Sequence, residues 1–238
     1  MAKGALKGDI KNHFQYRLWV YLLIAVAGWF AADLLYTVTA YRPPAERKVD
    51  FVLVQGGYPD TEALSAALSA SALAWGQAYD PTLEEVGFYS ISYSGDSNAD
   101  IYGAQVYLVR IAAQEGDIWI LPENLFTQLH VQDALMPLDD FVEQGLLHTQ
   151  GLDLTNCVLK APSEQTSEDG APLPPDGEEH LYALPVSGLK GLEEIGYQTQ
   201  DAYAVMMGYS ANPQTSAAVL DWVMEHLKEG LPEQEEIA

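Results

Sequence analysis

One apolar segment near the N-terminus constrains this chain more than any other feature. Residues 18–32 carry no charge, and after Asp33 the apolar character continues to Ala40. A helix over residues 18–40 rises ~1.5 Å per residue and can therefore cross the ~30 Å hydrocarbon layer of a membrane. Aromatic residues typical of membrane interfaces lie towards both of its ends: Trp19, Tyr21, Tyr36 and Tyr41. The segment therefore predicts a transmembrane helix.

Two other interpretations of this segment stay open. Val38-Thr39-Ala40 has small residues at the spacing of a signal-peptidase site, so the segment could instead be a cleaved signal peptide. A buried helix of a globular core fits less well, because the run is apolar on all faces. Asp33 lies inside the apolar segment, where a charged residue often pairs with a partner helix or lines an ion path. Its role stays open.

The flanking charges say little about orientation. Four Lys/Arg precede the segment and three follow it closely, so the positive-inside rule gives only a marginal signal. The short basic head and the acidic domain favour a cytoplasmic N-terminus and an extracytoplasmic domain at the cell membrane. We divide the chain into a basic head (1–17), the transmembrane helix (18–40), a stalk with two prolines (41–48), an extracytoplasmic domain (49–230) and an acidic tail (231–238).

The extracytoplasmic domain is strongly acidic. Of the 11 Lys/Arg and 34 Asp/Glu in the chain, seven and three lie in residues 1–48, so the remainder carries a net charge of −27. Such a surface repels phosphate backbones, which excludes nucleic acid as a partner of the domain. Residues 163–179 are rich in Pro, Glu, Asp and Ser, and they predict a flexible acidic loop.

The single cysteine, Cys157, can form no intramolecular disulfide. It also lies far from the apolar segment, so it cannot be the lipid-bearing cysteine of a bacterial lipoprotein. An extracytoplasmic domain without a disulfide favours a bacterial source. The role of Cys157 stays open.

Strand and helix patterns alternate from residue 49 onward. Strands are predicted over 49–55, 86–93 and 117–121, and helices over 61–79, 99–114 and 122–130. Three consecutive strand–helix units predict an α/β fold whose mostly parallel sheet has right-handed crossovers. A short extended piece over 181–185, a strand over 203–209 and a closing helix over 213–227 follow. We expect Leu64, Leu68 and Trp75 to form the buried stripe of the first helix.

Three stretches carry a resemblance to a known family. Residues 117–123 with Leu125-Phe126 and 134–139, then 181–186, then 209–213 with Ala217, Ala218 and Trp222, resemble successive parts of bacterial extracellular solute-binding proteins of the ABC type. The resemblance runs in order over residues 49–227. It implies a periplasmic-binding-protein-like lobe, in which 181–186 is the segment that leaves the first lobe and 209–213 opens the helix that returns to it.

One departure from the family limits what the resemblance implies. The family has a whole second lobe between the exit segment and the return helix, whereas only a short stretch separates Pro185 from Tyr203 here. The chain therefore resembles a one-lobed relative. Such a lobe cannot clamp a ligand between two lobes unless a partner supplies the second wall.

Ligands of open α/β sheets bind beyond the carboxyl ends of the strands. The residues that follow the three predicted strands are our candidates for ligand binding: Gln55, Gly56, Gly57 and Tyr58, then Tyr93, Ser94 and Asp96, then Glu123. Their N–H groups, hydroxyls, carboxylates and aromatic faces suit a sugar, a peptide or the surface of a protein partner. The alternative is that these residues only form turns and helix caps.

No motif predicts catalysis or metal binding. Residues 96–100 have the oxygen spacing that opens a calcium loop, but Ile101 and Tyr107 stand where that loop needs Gly and Glu. The five histidines are scattered, and no hydrolase, zinc-protease or phosphate-loop motif occurs. We therefore expect no metal, no cofactor and no enzymatic activity.

These features favour a membrane-anchored, non-catalytic, solute-binding-like domain that docks a partner such as a transporter or a sensor. Two alternatives stay open. One is direct capture of a small carbohydrate or peptide by the single lobe. The other is a surface enzyme without a recognisable motif.

Overall fold

The computed structural model describes residues 2–96, 100–163 and 177–232, with the backbone alone for residues 2–18. The chain divides into two units, Met1–Arg42 and Pro43–Ala238. Some predictions fall outside the described residues. They concern positions 97–99 of the calcium-like loop, 164–176 of the acidic loop and 233–238 of the tail.

The first unit is a single helix, α1 (Ala2–Thr39). Its side chains from residue 19 to residue 39 are exposed. The part from Trp19 to Thr39 is long and apolar enough to cross a membrane, although a signal sequence near an N-terminus has the same properties. The helix ends before Pro43 and Pro44, which lack the N–H groups needed to continue it.

The described part of the second unit contains seven strands, six α-helices and one 3₁₀ turn, Ala45–Arg47. The strands are β1 (Lys48–Gln55), β2 (Glu85–Ser92), β3 (Ile118–Pro122), β4 (Val158–Lys160), β5 (Glu179–Leu181), β6 (Ala183–Pro185) and β7 (Ala202–Met206). The helices are α2 (Thr61–Tyr79), α3 (Ile101–Ala112), α4 (Glu123–Val131), α5 (Asp139–Glu143), α6 (Lys190–Glu194) and α7 (Pro213–Leu227).

Five strands form the main sheet in the order β2-β1-β3-β7-β6, and β4 pairs with β5 in a small second sheet. β1 is parallel to β2 and β3, whereas β7 is antiparallel to both β3 and β6. Four of the five strands therefore share one direction. This confirms the predicted α/β class with a mostly parallel sheet.

Helices cover both faces of the sheet. Because β2 and β3 lie on opposite sides of β1, right-handed crossovers put α2 and α3 on opposite faces. α2 approaches α7 closely at Gly76, where an added Cβ would lie 3.1 Å from the Val219 Cγ2. On the other face Tyr107 of α3 meets the rings of Tyr93 and Trp119, with centroids 5.2 and 5.6 Å apart. β1 is buried from Val49 to Gln55, so it forms the centre of the core.

Helix caps explain where two helices begin. The Asp60 carboxylate accepts the Ala63 N–H at 2.9 Å, so α2 begins at Thr61 as predicted. The Asp100 carboxylate accepts the Gly103 N–H at 2.8 Å, so α3 begins at Ile101, two residues after its predicted start. Asp100 thus caps α3.

Several sequence predictions need correction. Trp75 is 49% exposed and lies off the buried stripe, although Leu64 and Leu68 are buried as expected. β7 ends at Met206 rather than at residue 209, because the chain turns towards the N-terminus of α7. Glu179 is not in a flexible loop but is the first residue of β5, paired with Lys160. β4 was not predicted.

Candidate functional site

The carboxyl ends of β1, β2 and β3 lie along one edge of the sheet because the three strands are parallel. The Tyr93 N–H donates to the Gln55 carbonyl oxygen at 2.7 Å, which joins the loops after β1 and β2. The Asn124 side-chain amide donates to the Ser94 carbonyl oxygen at 3.1 Å, which joins the loop after β2 to the start of α4. The structure therefore brings the three predicted groups of residues to one edge. Their role in ligand binding stays a prediction.

The Gln55 side chain is engaged within the lobe. Its Nε2 donates to the Gly196 carbonyl oxygen at 3.1 Å, and its Oε1 accepts the Gln198 N–H at 2.8 Å. The residue is 9% exposed. Gln55 thus fixes the segment after α6 to the end of β1, and its amide is already satisfied without a ligand.

Tyr93 is also a core residue by its position. It is 7% exposed, and its ring packs against Tyr107 of α3. An aromatic face that is already covered cannot stack on a ligand. Tyr93 therefore stabilises α3 on the sheet in this structure.

The glycines after β1 shape a tight loop. A Cβ at Gly56 would lie 3.3 Å from the Ser94 Cβ, so a side chain there would press on the loop after β2. Gly57 has a φ of +141°, which L-residues rarely adopt. The loop presents Tyr58, whose side chain is 76% exposed. Tyr58 is thus an accessible aromatic group at this edge.

The remaining predicted residues are exposed. Ser94, Asp96 and Glu123 all present their side chains to solvent. The Glu123 N–H donates to the Asp201 carbonyl oxygen at 2.9 Å, which ties the start of α4 to the residue before β7. The exposed groups at the edge are therefore a phenol, a hydroxyl and two carboxylates.

A cap segment, defined as residues 187–201, connects β6 to β7 and covers the end of β1. The Asp60 N–H donates to the Ile195 carbonyl oxygen at 2.8 Å, and the Tyr197 hydroxyl donates to the Val54 carbonyl oxygen at 3.0 Å. Tyr197 is buried, and burial raises its pKa far above the usual range of a tyrosine. The cap segment is thus a fixed part of the lobe.

An edge groove lies beside the cap segment, where β3 and β6 end and β7 begins. It consists of two adjoining cavities, of about 380 and 180 Å³, which share Thr155 and Asn156. Its other lining residues include the carboxylates Glu123, Asp153 and Asp201, the hydroxyls of Thr127 and Ser187, and the rings of Phe126 and Tyr203. The groove contains one residue that the sequence predicted, Glu123.

His130 lines the larger cavity and is 3% exposed. Its Nε2 lies 2.8 Å from the Lys160 carbonyl oxygen, which can only accept, so Nε2 carries the proton. Its Nδ1 has no partner among the described atoms. Burial lowers the pKa of His130, so the ring is neutral at pH 7 and Nδ1 is a free acceptor.

The groups of the groove suit binding better than proton transfer. The Thr155 hydroxyl donates to Asp153 Oδ1 at 2.6 Å, which lowers the pKa of Asp153 and makes its carboxylate a weak base. Burial raises the pKa of the nearby Cys157 thiol to about 11, so it is a protonated thiol at neutral pH. Among the described residues no three His, Cys, Asp or Glu side chains lie together as metal ligands do.

Sequence reasoning missed the residues that build the groove. His130 follows Phe126 by one helical turn, and that spacing was the signal that its side chain faces inward. Asn124 was adjacent to a predicted residue, but only the fold shows its bond to Ser94. Thr155 and Asn156 lie in a loop without periodicity, so no sequence signal pointed to them.

No protein-family model matches this chain, and no curated protein matches it.

Proposed function

We propose that this chain is a membrane-anchored, solute-binding-like domain that acts without catalysis and docks a partner protein, such as a transporter or a sensor. In this proposal α1 holds the domain at the outer face of a bacterial cell membrane, with the N-terminus in the cytoplasm. The observation that carries the proposal is the cap segment, because it stands where the resembled family has its second lobe.

The cap segment packs directly on the domain and does not form a separate wall opposite to it. Its contacts with Asp60, Val54 and Gln55 keep it on the end of β1. The described part of the second unit builds one main sheet with its covering helices. Among the described residues no second lobe faces the edge groove, so in this proposal the docked partner forms its second wall.

The edge offers groups that suit a protein partner. Tyr58 is a large, exposed aromatic side chain, and such residues often dominate interface energetics. Asp96 and Glu123 add exposed carboxylates to an acidic domain, and this charge would steer a basic surface towards the edge. We therefore expect the partner to present a basic surface.

Site-specific photo-crosslinking in intact membranes tests the proposal. A photoreactive amino acid at Tyr58 or Glu123 should yield a discrete crosslinked product with another protein. The same amino acid at Ala74, which is exposed on α2, is the matched control and should yield none. Absence of any product at both edge positions, together with purification from mild detergent without a partner, would contradict docking.

Direct capture of a small ligand is a second candidate, favoured by the edge groove. Its carboxylates, hydroxyls and aromatic rings are groups that recognise sugars and peptides. Titration calorimetry with sugar and peptide panels should then give heat that Asn156→Ala removes. No heat with any panel would exclude capture by the lobe alone.

A further inference from the structure

In the described part of the chain, the outer face of α3 is apolar and exposed to solvent. Ile101, Tyr102, Leu108 and Val109 are 66, 71, 58 and 65% exposed, and they lie together on one side of the helix. The opposite side carries Gly103, Ala104 and Tyr107, which are buried against the sheet. An apolar cluster of this kind on the surface of a soluble domain marks an interaction surface.

The exposed face has the spacing of a coiled-coil seam. Ile101, Gln105, Leu108 and Ala112 follow one another at intervals of four, three and four residues, and all four are exposed. This is the alternation by which two helices pack side by side. The single polar member, Gln105, lies near the middle of the helix.

The distribution of charge on the domain indicates which kind of partner can cover the α3 face. Residues 49–238 carry −27, so two copies of the domain repel each other over most of their surfaces. Residues 86–95 and 101–114 contain no Asp or Glu, and their only charge is Arg110. The Arg110 guanidinium lies over the Tyr89 ring, 4.9 Å from its centroid, and thus on β2. The α3 seam itself therefore carries no carboxylate, and Asp100 and Glu115 flank it at its two ends.

We propose that α3 pairs in parallel with α3 of a second copy of this chain, with Gln105 facing Gln105 across the two-fold axis. A seam paired with itself makes an isologous interface, in which the apolar residues of each layer meet their own counterparts. A polar side chain at one seam position fixes the register of such a pair, because a shifted register would bury its amide without a partner.

The parallel direction follows from Gln105. Parallel helices place this side chain against Gln105 of the other copy, whereas antiparallel helices would place it against Leu108 and leave its amide without a partner. The pairing also rests on the membrane anchor of the proposed function, since confinement to a membrane raises the effective concentration of the copies. Pairing of α3 is separate from docking at the sheet edge, and either can fail without the other.

Disulfide trapping in membranes tests this pairing with the full chain. Gln105→Cys should form a crosslinked dimer on mild oxidation, whereas Ala74→Cys on α2 is the matched control and should not. The native Cys157 is buried and gives no background. Adding Leu108→Glu to Gln105→Cys should reduce the dimer about tenfold or more, because it opposes like charges across the seam.

Two results would overturn the proposal. The first is a Gln105→Cys dimer no more abundant than that of Ala74→Cys. The second is crosslinking only in mixtures of Ile101→Cys with Ala112→Cys, which would mean antiparallel helices. Leu108 is exposed, so an unchanged thermal unfolding midpoint of Leu108→Glu shows that any lost dimer reflects pairing and not misfolding.

Discussion

At the scale of one residue, the buried His130 makes the free energy of unfolding depend on pH. Burial lowers the pKa of its imidazole below the ordinary value of 6.5. Below pH 6.5 the unfolded chain therefore binds a proton that the folded chain resists, and the free energy of unfolding falls as the pH drops towards the folded pKa. We expect the urea midpoint of the wild-type protein to fall between pH 7.5 and 5.5 by more than that of His130→Gln.

The glutamine variant is a suitable comparison because its amide can still donate to the Lys160 carbonyl oxygen, as Nε2 of His130 does at 2.8 Å. His148→Gln provides a control at an exposed imidazole. Equal pH dependence of wild-type and His130→Gln protein would show that the buried ring does not resist protonation.

The burial of single residues shows why the predicted site residues divide into a buried group and an exposed group. Gln55 and Tyr93 were chosen because they end strands, yet both are buried against other elements of the lobe. A sequence shows where a strand ends, but not what will pack over its end. The cap segment, whose contacting residues lie more than 140 residues further along the chain, covers Gln55, and α3, the helix after β2, covers Tyr93.

At the scale of elements, the close packing of α3 on β2 depends on Gly103. A Cβ at Gly103 would lie only 1.9 Å from the Ser92 carbonyl oxygen, so the N-terminal turn of α3 touches the backbone of β2. Gly103→Ala should gain up to ~1 kcal/mol of helix propensity, but a clash with backbone cannot be relieved by a rotamer change. We expect a net loss of roughly 1–3 kcal/mol in the free energy of unfolding, measured by urea denaturation.

Gln105→Ala serves as the control for this prediction, since it changes an exposed position of the same helix. Its free energy of unfolding should change by no more than about 0.5 kcal/mol. A Gly103→Ala protein as stable as the wild type would mean that α3 can shift away from β2 at little cost.

Elements with strong periodic patterns could be predicted from the sequence, and short ones could not. α2 and α7 begin and end at the predicted residues, because Asp60 caps α2, Pro213 is the first residue of α7, and a regular apolar stripe runs through each helix. β4 has three residues and pairs only with β5, so no periodicity identifies it. The antiparallel direction of β7 could not be predicted either. The cap segment brings the chain back to the end of the sheet where β6 stops, so β7 runs opposite to β6.

At the scale of the whole molecule, the proposed orientation across a membrane can be tested by labelling from outside the cell. If the N-terminus is cytoplasmic, a cysteine placed at the exposed Glu143 should react with an impermeant maleimide on intact cells. A cysteine in place of Lys7 should react only after the cells are permeabilised. The buried Cys157 should contribute little background in either variant.

Mass spectrometry of the purified chain completes this measurement. An intact N-terminal segment fits an anchor, whereas a mature protein that starts at Tyr41 would show that Val38-Thr39-Ala40 is cut. Labelling of the Lys7 position in intact cells would contradict the proposed orientation.

The pairing of β6 with β7 has a consequence for how such a chain can change over evolutionary time. Pro185 and Tyr203 are partners on neighbouring strands, so the polypeptide leaves and rejoins the sheet at a single point. The length of chain inserted between them can grow or shrink without altering any strand pair. An insertion or a deletion at this point therefore leaves the register of the five-stranded sheet unchanged.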